Sequence, residues 1–272
     1  MTEKMRYVPL PGSDGPTRYE YGPQSSQRPE VTAGRMVRFH MATSRSFPGA
    51  SRDVRVHITA AAERFERSAV TVFQDGGLYY DPAGEVRAGV VLDNLVHDGQ
   101  MPPSVGVFID PGEPGNRNAE YDAFDARYAD LVIDEILPRV ADIVSIEDDA
   151  ARRAIVGGSS GGNCALTAAW CRPEAFERVA MFLSSFAQIP GGNPYPDAIR
   201  AGAPRPLRVF QQAGTNDLNA RSTHMNWLSE NLQVAAAFAE AGYAHRFVLG
   251  DGGHDLNHTG VLLPDALGWL WE

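Results

Sequence analysis

Six residues, Gly157–Gly158–Ser159–Ser160–Gly161–Gly162, constrain this chain more than any other segment. They lie between a short apolar run, Ala154–Ile155–Val156, and a largely apolar stretch from Asn163 to Trp170. A strand that ends on a Gly-rich turn and feeds a helix belongs to a parallel sheet covered by helices. G-x-S-x-G in that setting is a nucleophile elbow, where a serine stands on a sharp turn with its hydroxyl above the sheet. Flanking glycines remove side chains that would collide there. The following helix turns its positive end toward the serine, where negative charge develops. Two registers match, one centred on Ser159 and one on Ser160, and glycine spacing alone does not choose.

A phosphate-binding turn is the obvious competitor. A dinucleotide turn needs G-x-G-x-x-G, which glycines at 157, 158, 161 and 162 do not supply. A P-loop needs Lys and then Ser or Thr after its last glycine, where Asn163 and Cys164 stand.

The rest of the chain agrees with an α/β architecture. Residues 1–34 are rich in Pro, Gly, Ser and charge and read as a polar arm; residues 35–272 read as one catalytic domain. Met36–Met41 and Val54–Ile58, joined through Phe47–Pro48–Gly49, predict an N-terminal β-hairpin. Ala69–Phe73, Val105–Ile109, Ala154–Val156, Val179–Leu183, Leu207–Phe210 and Arg246–Leu249 predict further strands. Helices are expected over 90–96, from Phe124 to Ile136, over 163–170, from Trp227 to Ala241 and from Val261 to Trp271, the last with Pro264 in its first turn. Ile189 to Pro206 reads as a loop insertion near the site. The sum is a mainly parallel central sheet with helices on both faces.

Charge and composition narrow the function. With 24 Lys+Arg against 34 Asp+Glu, the net charge is −10, which excludes a sequence-independent nucleic-acid binder. No segment approaches the roughly 18 apolar residues of a membrane helix, and Met1–Leu10 lacks the apolar core of a secretory signal. Cys164 and Cys171, seven apart in a helical segment, stand about 10 Å apart, beyond disulfide reach. Buried free thiols and a cytoplasmic location follow as expectations.

A serine nucleophile needs a base. In hydrolases with this elbow the chain order is Ser, then acid, then His, with the last two on loops after later strands. His254 sits in Gly250–Asp251–Gly252–Gly253–His254, between the last strand and the last helix; His258 is the alternative. Asp217, in the polar loop after Leu207–Phe210, is the acid that would orient the imidazole. The oxyanion hole needs the N–H of the residue after the nucleophile, Ser160 in the first register. It also needs a donor from Gln74–Asp75–Gly76–Gly77, where Gly77 is the candidate and Gly76 the alternative. His254–Asp255–Leu256–Asn257–His258 resembles the zinc motif H-E-x-x-H, but Asp replaces Glu and Gly252–Gly253 favours a loop over a helix. No metal and no cofactor are expected.

With these residues in view, the sequence resembles the enterochelin-esterase-like family of α/β-hydrolase serine esterases, from about Phe47 to Trp271. The resemblance rests on Ser46–Phe47–Pro48–Gly49 with Arg52–Asp53, Val72–Phe73–Gln74–Asp75–Gly76, Asp93–Asn94–Leu95, and Glu120–Tyr121–Asp122. It also rests on Asp134–Glu135–Ile136–Leu137–Pro138, Ala169–Trp170, Thr215–Asn216–Asp217–Leu218 and Gly252–Gly253–His254. The family elbow reads G-x-S-x-G-G, which this chain fits with Ser159 as nucleophile. The resemblance implies an α/β-hydrolase fold, the triad Ser159, Asp217 and His254, and oxyanion donors at Gly77 and Ser160. Relatives often carry a larger residue where Gly77 stands.

What it implies chemically is hydrolysis of a small-molecule carboxylic ester through an acyl-enzyme. The family covers sugar acyl, siderophore and aryl esters, so the molecule is not specified. Arg117 and Glu120, after a strand end, and Trp227, beyond Asp217, are candidate substrate contacts. An acyltransferase using the same triad, or a non-catalytic binding protein on the same fold, are the alternative functions. No nucleic-acid or membrane partner is expected, and a homodimer is left open.

Overall fold

A computed structural model describes residues 17–113, 115 and 117–272. Met1–Leu10, read from the sequence as lacking a secretory signal, and the first part of the 1–34 arm lie outside the described residues.

An eight-stranded sheet runs in the order β1-β2-β4-β3-β5-β6-β7-β8. Strands β1 (Arg35–Met41) and β2 (Arg52–Ile58) form the expected antiparallel hairpin, and β2 pairs antiparallel with β4 (Ser104–Ile109). The other pairs are parallel: β3 (Ala69–Gln74) with β4 and with β5 (Arg153–Gly158), then β6 (Arg178–Phe182), β7 (Arg208–Gly214) and β8 (Ala244–Gly250) in turn. Every residue of β3, β4 and β5 is buried, as near-continuous apolar runs require when helices cover both faces.

Successive side chains of a strand point to opposite faces, and the core divides accordingly. Val72, Val107 and Ile155 pack with α6 (Ser160–Cys171) and α8 (Trp227–Glu240). Their neighbours Phe73, Phe108 and Val156 pack on the other face with α2 (Ala88–His97) and α9 (Leu256–Trp271). Short helices α1 (Gly76–Tyr80) and α3 (Arg117–Tyr121) follow β3 and β4 at their carboxyl ends. The site therefore gathers where the connections from β3 and β5 diverge, the place where open α/β sheets bind ligands.

Three expectations are corrected. The helix expected from Phe124 begins later, as α4 (Arg127–Asp130), widens into a π-helical stretch (Leu131–Ile136) and continues through α5 (Leu137–Ala141). Pro138 lacks an N–H and its ring displaces the preceding carbonyls, which the wider π turn accommodates. The last helix starts at Leu256 because the Asp255 carboxylate accepts the Asn257 N–H and caps it, so Pro264 falls inside the helix. The stretch from Ile189 to Pro206 is not a plain loop. It holds α7 (Tyr195–Ala201), whose Tyr195 is fully buried with its hydroxyl 2.6 Å from Thr167 Oγ1.

His245 on β8 lies beside Phe238 and bonds Gln211 Oε1 through Nε2 at 3.1 Å. Burial pushes its pKa from 6.5 down to about 4. The folded chain thus resists a proton that the unfolded chain accepts. This contribution is complete above about pH 6.5 and is lost as pH falls toward 4. Thermal melts should show the wild type losing about 2–4 °C more than His245→Gln between pH 7 and pH 4.5, once partial exposure is discounted. Parallel curves would refute the assignment.

Candidate active site

Ser159 stands between β5 and α6 with φ 59° and ψ −129°. A non-glycine residue in that region costs about 1–3 kcal/mol and persists only where its surroundings impose it. Here the Ser159 N–H donates to Phe182 O at 2.9 Å, and Ser159 O accepts from Gly162, Asn163 and Ser185 N–H groups at 3.0–3.2 Å. At about 1 kcal/mol each, these bonds offset the strain. The glycines have separate causes. A Cβ on Gly157 would lie 2.2 Å from Gly161 O, and one on Gly162 would lie 2.5 Å from Ser184 Oγ.

The two serines have different surroundings. Ser159 Oγ lies 3.0 Å from His254 Nε2, and His254 Nδ1 lies 2.7 Å from Asp217 Oδ1. A carboxylate only accepts, so Nδ1 carries the proton and the neutral Nε2 accepts the Ser159 hydroxyl. Ser160 is buried, and its hydroxyl donates to Asp122 Oδ2 at 2.8 Å. The geometry pairs the imidazole with Ser159, not Ser160.

Asp217 follows β7 in a loop tied to the His254 loop by Thr215 N–H to Gly250 O and Asn216 N–H to Gly252 O. Its side chain is fully buried and also accepts the Leu218 N–H at 2.7 Å. Trp227, expected as a substrate contact, is instead buried, its ring edge-on to the imidazole at 4.7 Å between centroids. It backs His254. The alternative base, His258, stacks on Tyr19 and accepts from Gln212 Nε2 at 3.1 Å, and burial lowers its pKa. Because α9 begins at Leu256, His254 and His258 do not share a helix face, and the zinc-motif geometry is lost. Among the described residues no group of three or more metal-ligating side chains occurs.

A cavity of about 180 Å³ opens at Ser159. Leu78, Leu183 and Leu256 give it apolar walls, while Asp75 and Arg117 stand on its polar side. Arg117 clamps the Asp75 carboxylate through Nε and Nη2, both at 2.6 Å, and lies over the Tyr121 ring. Burial alone would lower the Arg117 pKa, but Asp75 outweighs it and the net direction is upward. Glu120 is corrected. It pairs with the fully buried Arg52 and accepts the Gly112 N–H at 3.2 Å, a structural ion pair. A larger cavity, about 490 Å³, lies between the arm and α2, where no serine–histidine pair faces it.

The amides expected to serve as oxyanion donors differ in their surroundings. Ser160 is the first residue of α6, so its N–H has no intrahelical acceptor. The Gly77 N–H is already donated to Asp110 Oδ1 at 2.7 Å, and Asp110 is held by Arg55 at 2.6 Å. Gly76, the alternative, opens α1.

Sequence reasoning missed Asp122 as a site residue. This buried carboxylate lies under the elbow and accepts from Ser160 Oγ, Ser185 Oγ and Asn163 Nδ2. Its segment stood out in the sequence, but an isolated Asp in a polar stretch carries no signal of burial. The lining residues Leu183 and Leu256 were equally silent, being ordinary apolar residues at a strand end and a helix start.

The family described as "Putative esterase" matches residues 48–270. The iron(III) enterobactin esterase of Dickeya dadantii is 31% identical over 203 residues, covering 69% of this chain and 45% of that protein. The enterobactin esterase of Shigella flexneri, crystallised in the presence of enterobactin, has a TM-score of 0.73 at 26% identity, over 90% of this chain and 60% of that one. A ferulic acid esterase from Anaeromyces mucronatus in complex with ferulic acid has a TM-score of 0.71 at 15% identity, over 90% and 93% of the two chains. These likenesses show the α/β-hydrolase fold. The chain spans about half the length of the enterobactin esterases it matches.

Asp122→Ala would leave the Ser160 and Ser185 hydroxyls without their acceptor and the Asn163 amide with Tyr121 O alone. It should cost about 2–4 kcal/mol, and Ser160→Ala about 1–2 kcal/mol, in urea unfolding. The double variant should cost less than the sum, because the two share one bond. Strict additivity would show that the platform under the elbow is not a unit.

Proposed function

The chain belongs to this esterase family, and from that membership and the site geometry we propose that it is a serine carboxylic-ester hydrolase working through an acyl-enzyme. The continuous hydrogen-bonded path Asp217–His254–Ser159, at 2.7 and 3.0 Å, carries the proposal.

The path divides the work among its members. Ser159 attacks the ester carbonyl as His254 Nε2 takes its proton. Asp217 keeps the proton on Nδ1 and stabilises the imidazolium that forms. The Ser160 N–H faces the developing oxyanion, aided by the positive end of α6. The second donor comes from the start of α1: the Gly76 N–H, or the Gly77 N–H once Asp110 moves off it. His254 then protonates the leaving alcohol, and a water activated by His254 releases the acyl group.

The substrate class is a small-molecule ester. The named relatives act on enterobactin or ferulic acid esters, which supports a siderophore or aryl ester over a long-chain lipid. The cavity of about 180 Å³ suits a compact acyl group, with Arg117 at its polar side to meet an oxygen of the substrate. A cytoplasmic location is supported by two free thiols, Cys164 and Cys171. No helix among the described residues is long and apolar enough to cross a membrane.

A fluorophosphonate probe should label Ser159, and peptide mapping should lose that label in Ser159→Ala but keep it in Ser160→Ala. For p-nitrophenyl acetate, Ser159→Ala and His254→Ala should each lower kcat/KM by about 10³-fold or more, and Asp217→Asn by about 10²–10⁴-fold. Labelling of Ser160 would move the nucleophile by one residue. Absence of both label and hydrolysis would sink the esterase proposal.

A further inference from the structure

The base sits on an intrinsically loose support. Gly252 and Gly253 precede His254 directly, and glycine restrains its backbone least of all residues. The imidazole nevertheless has to stay within hydrogen-bond reach of a serine on a different loop, and a misplacement of about 1 Å can cost about 10²-fold in rate. Asn216 restrains the loop from one side, its Nδ2 donating to Asp251 O at 2.8 Å.

The other side is restrained by a segment remote in sequence. Tyr19 Oη accepts the Asp251 N–H at 2.8 Å, three residues before His254. The Tyr19 N–H donates to Asn257 Oδ1 at 2.7 Å, and Asn257 Nδ2 donates back to Tyr19 O at 3.1 Å, three residues after it. The Tyr19 ring stacks on His258 at 4.0 Å between centroids with 17° between planes. Both rings press on the end of β8: a Cβ on Gly250 would lie 2.2 Å from His258 Cε1 and 2.8 Å from Tyr19 Oη. One residue of the arm thus spans the His254 loop at both ends.

The arm is itself anchored. Arg18 pairs with Glu85, the Tyr21 hydroxyl donates to Glu85 O at 2.9 Å, and the Arg87 guanidinium lies 4.0 Å over the Tyr21 ring. Further along, Ser25 Oγ donates to Gly260 O at 3.2 Å, and Asn94 Nδ2 holds Gln24 O and Ser26 O. These anchors lie on α2, α9 and the segment before α2, so the arm can transmit their rigidity to the loop.

We propose that Tyr19 is a positioning residue for His254 and that Thr17–Tyr21 is a strap that holds the base in reach of Ser159. This rests on the triad proposed above. Tyr19 touches neither Ser159 nor the cavity, and its effect runs through the backbone of residues 251–258.

The test compares full-length wild type, Tyr19→Ala and Tyr19→Phe. Its readouts are p-nitrophenyl acetate kinetics and hydrogen exchange of peptides covering 250–258 and the central strands. Tyr19→Ala should lower kcat about 10–100-fold with KM within about twofold, and raise exchange at 250–258 alone. Tyr19→Phe keeps the ring and loses only the acceptor for Asp251, so it should recover a large part of kcat; it also serves if Tyr19→Ala does not fold. Unchanged kcat and exchange in Tyr19→Ala, or exchange raised equally across the strands, would overturn the proposal. If the wild type neither hydrolyses nor labels, the esterase proposal fails separately, and local exchange at 250–258 still decides the strap.

Discussion

The backbone of Ser159 is held where an unsupported serine would not stay, and much of the surrounding structure serves that turn. Its carbonyl takes three N–H groups and its own N–H reaches across to the end of β6. The hydroxyl is left uncommitted by the backbone and free to meet an imidazole. Under the turn, the Asp122 carboxylate fixes the neighbouring Ser160 side chain, so the first residue of α6 has little freedom of its own. The polar platform and the apolar sheet then act together: β5 brings the serine up, and α6 closes the turn from above.

Charge is distributed in a way that keeps the site open. The buried Arg52 is neutralised by Glu120, and the partly exposed Arg117 by Asp75. A cation left alone at such depth would cost several kcal/mol, so these pairs are conditions for the fold before they are conditions for chemistry. The same logic holds Glu120 against Arg52, while Arg117 keeps a place on the wall of the cavity at Ser159. Asp110 joins the same pattern, accepting the Gly77 N–H while Arg55 holds its other oxygen.

Much of the architecture was legible along the chain because its signals are local. Apolar runs such as Ala69–Phe73 and Val105–Ile109 are short, β-branched and bounded by Gly or Pro, and they became buried parallel strands. The π-widened helix around Pro138 and the early start of α9 were not legible. The first depends on how a proline's missing donor is absorbed, and the second on a single capping bond from Asp255. The 189–206 segment looked like a loop because Gly and Pro dominate it. One buried tyrosine, with a helical turn around it, made it part of the core.

The sequence by itself determined the chemistry on offer: a serine on a glycine-bounded turn, an aspartate and a histidine after later strands, and an alternating α/β order that places all three on one sheet edge. Those follow from residue type and spacing, which are properties of the chain alone. Only the tertiary structure separates the surroundings of Ser159 and Ser160, because it alone shows which hydroxyl meets an imidazole and which meets a buried carboxylate. It likewise puts Trp227 against the imidazole, Glu120 in an ion pair with Arg52 and Tyr19 in hydrogen bonds with Asp251 and Asn257. Each of these is a contact between residues far apart in sequence, and no local pattern encodes such a contact.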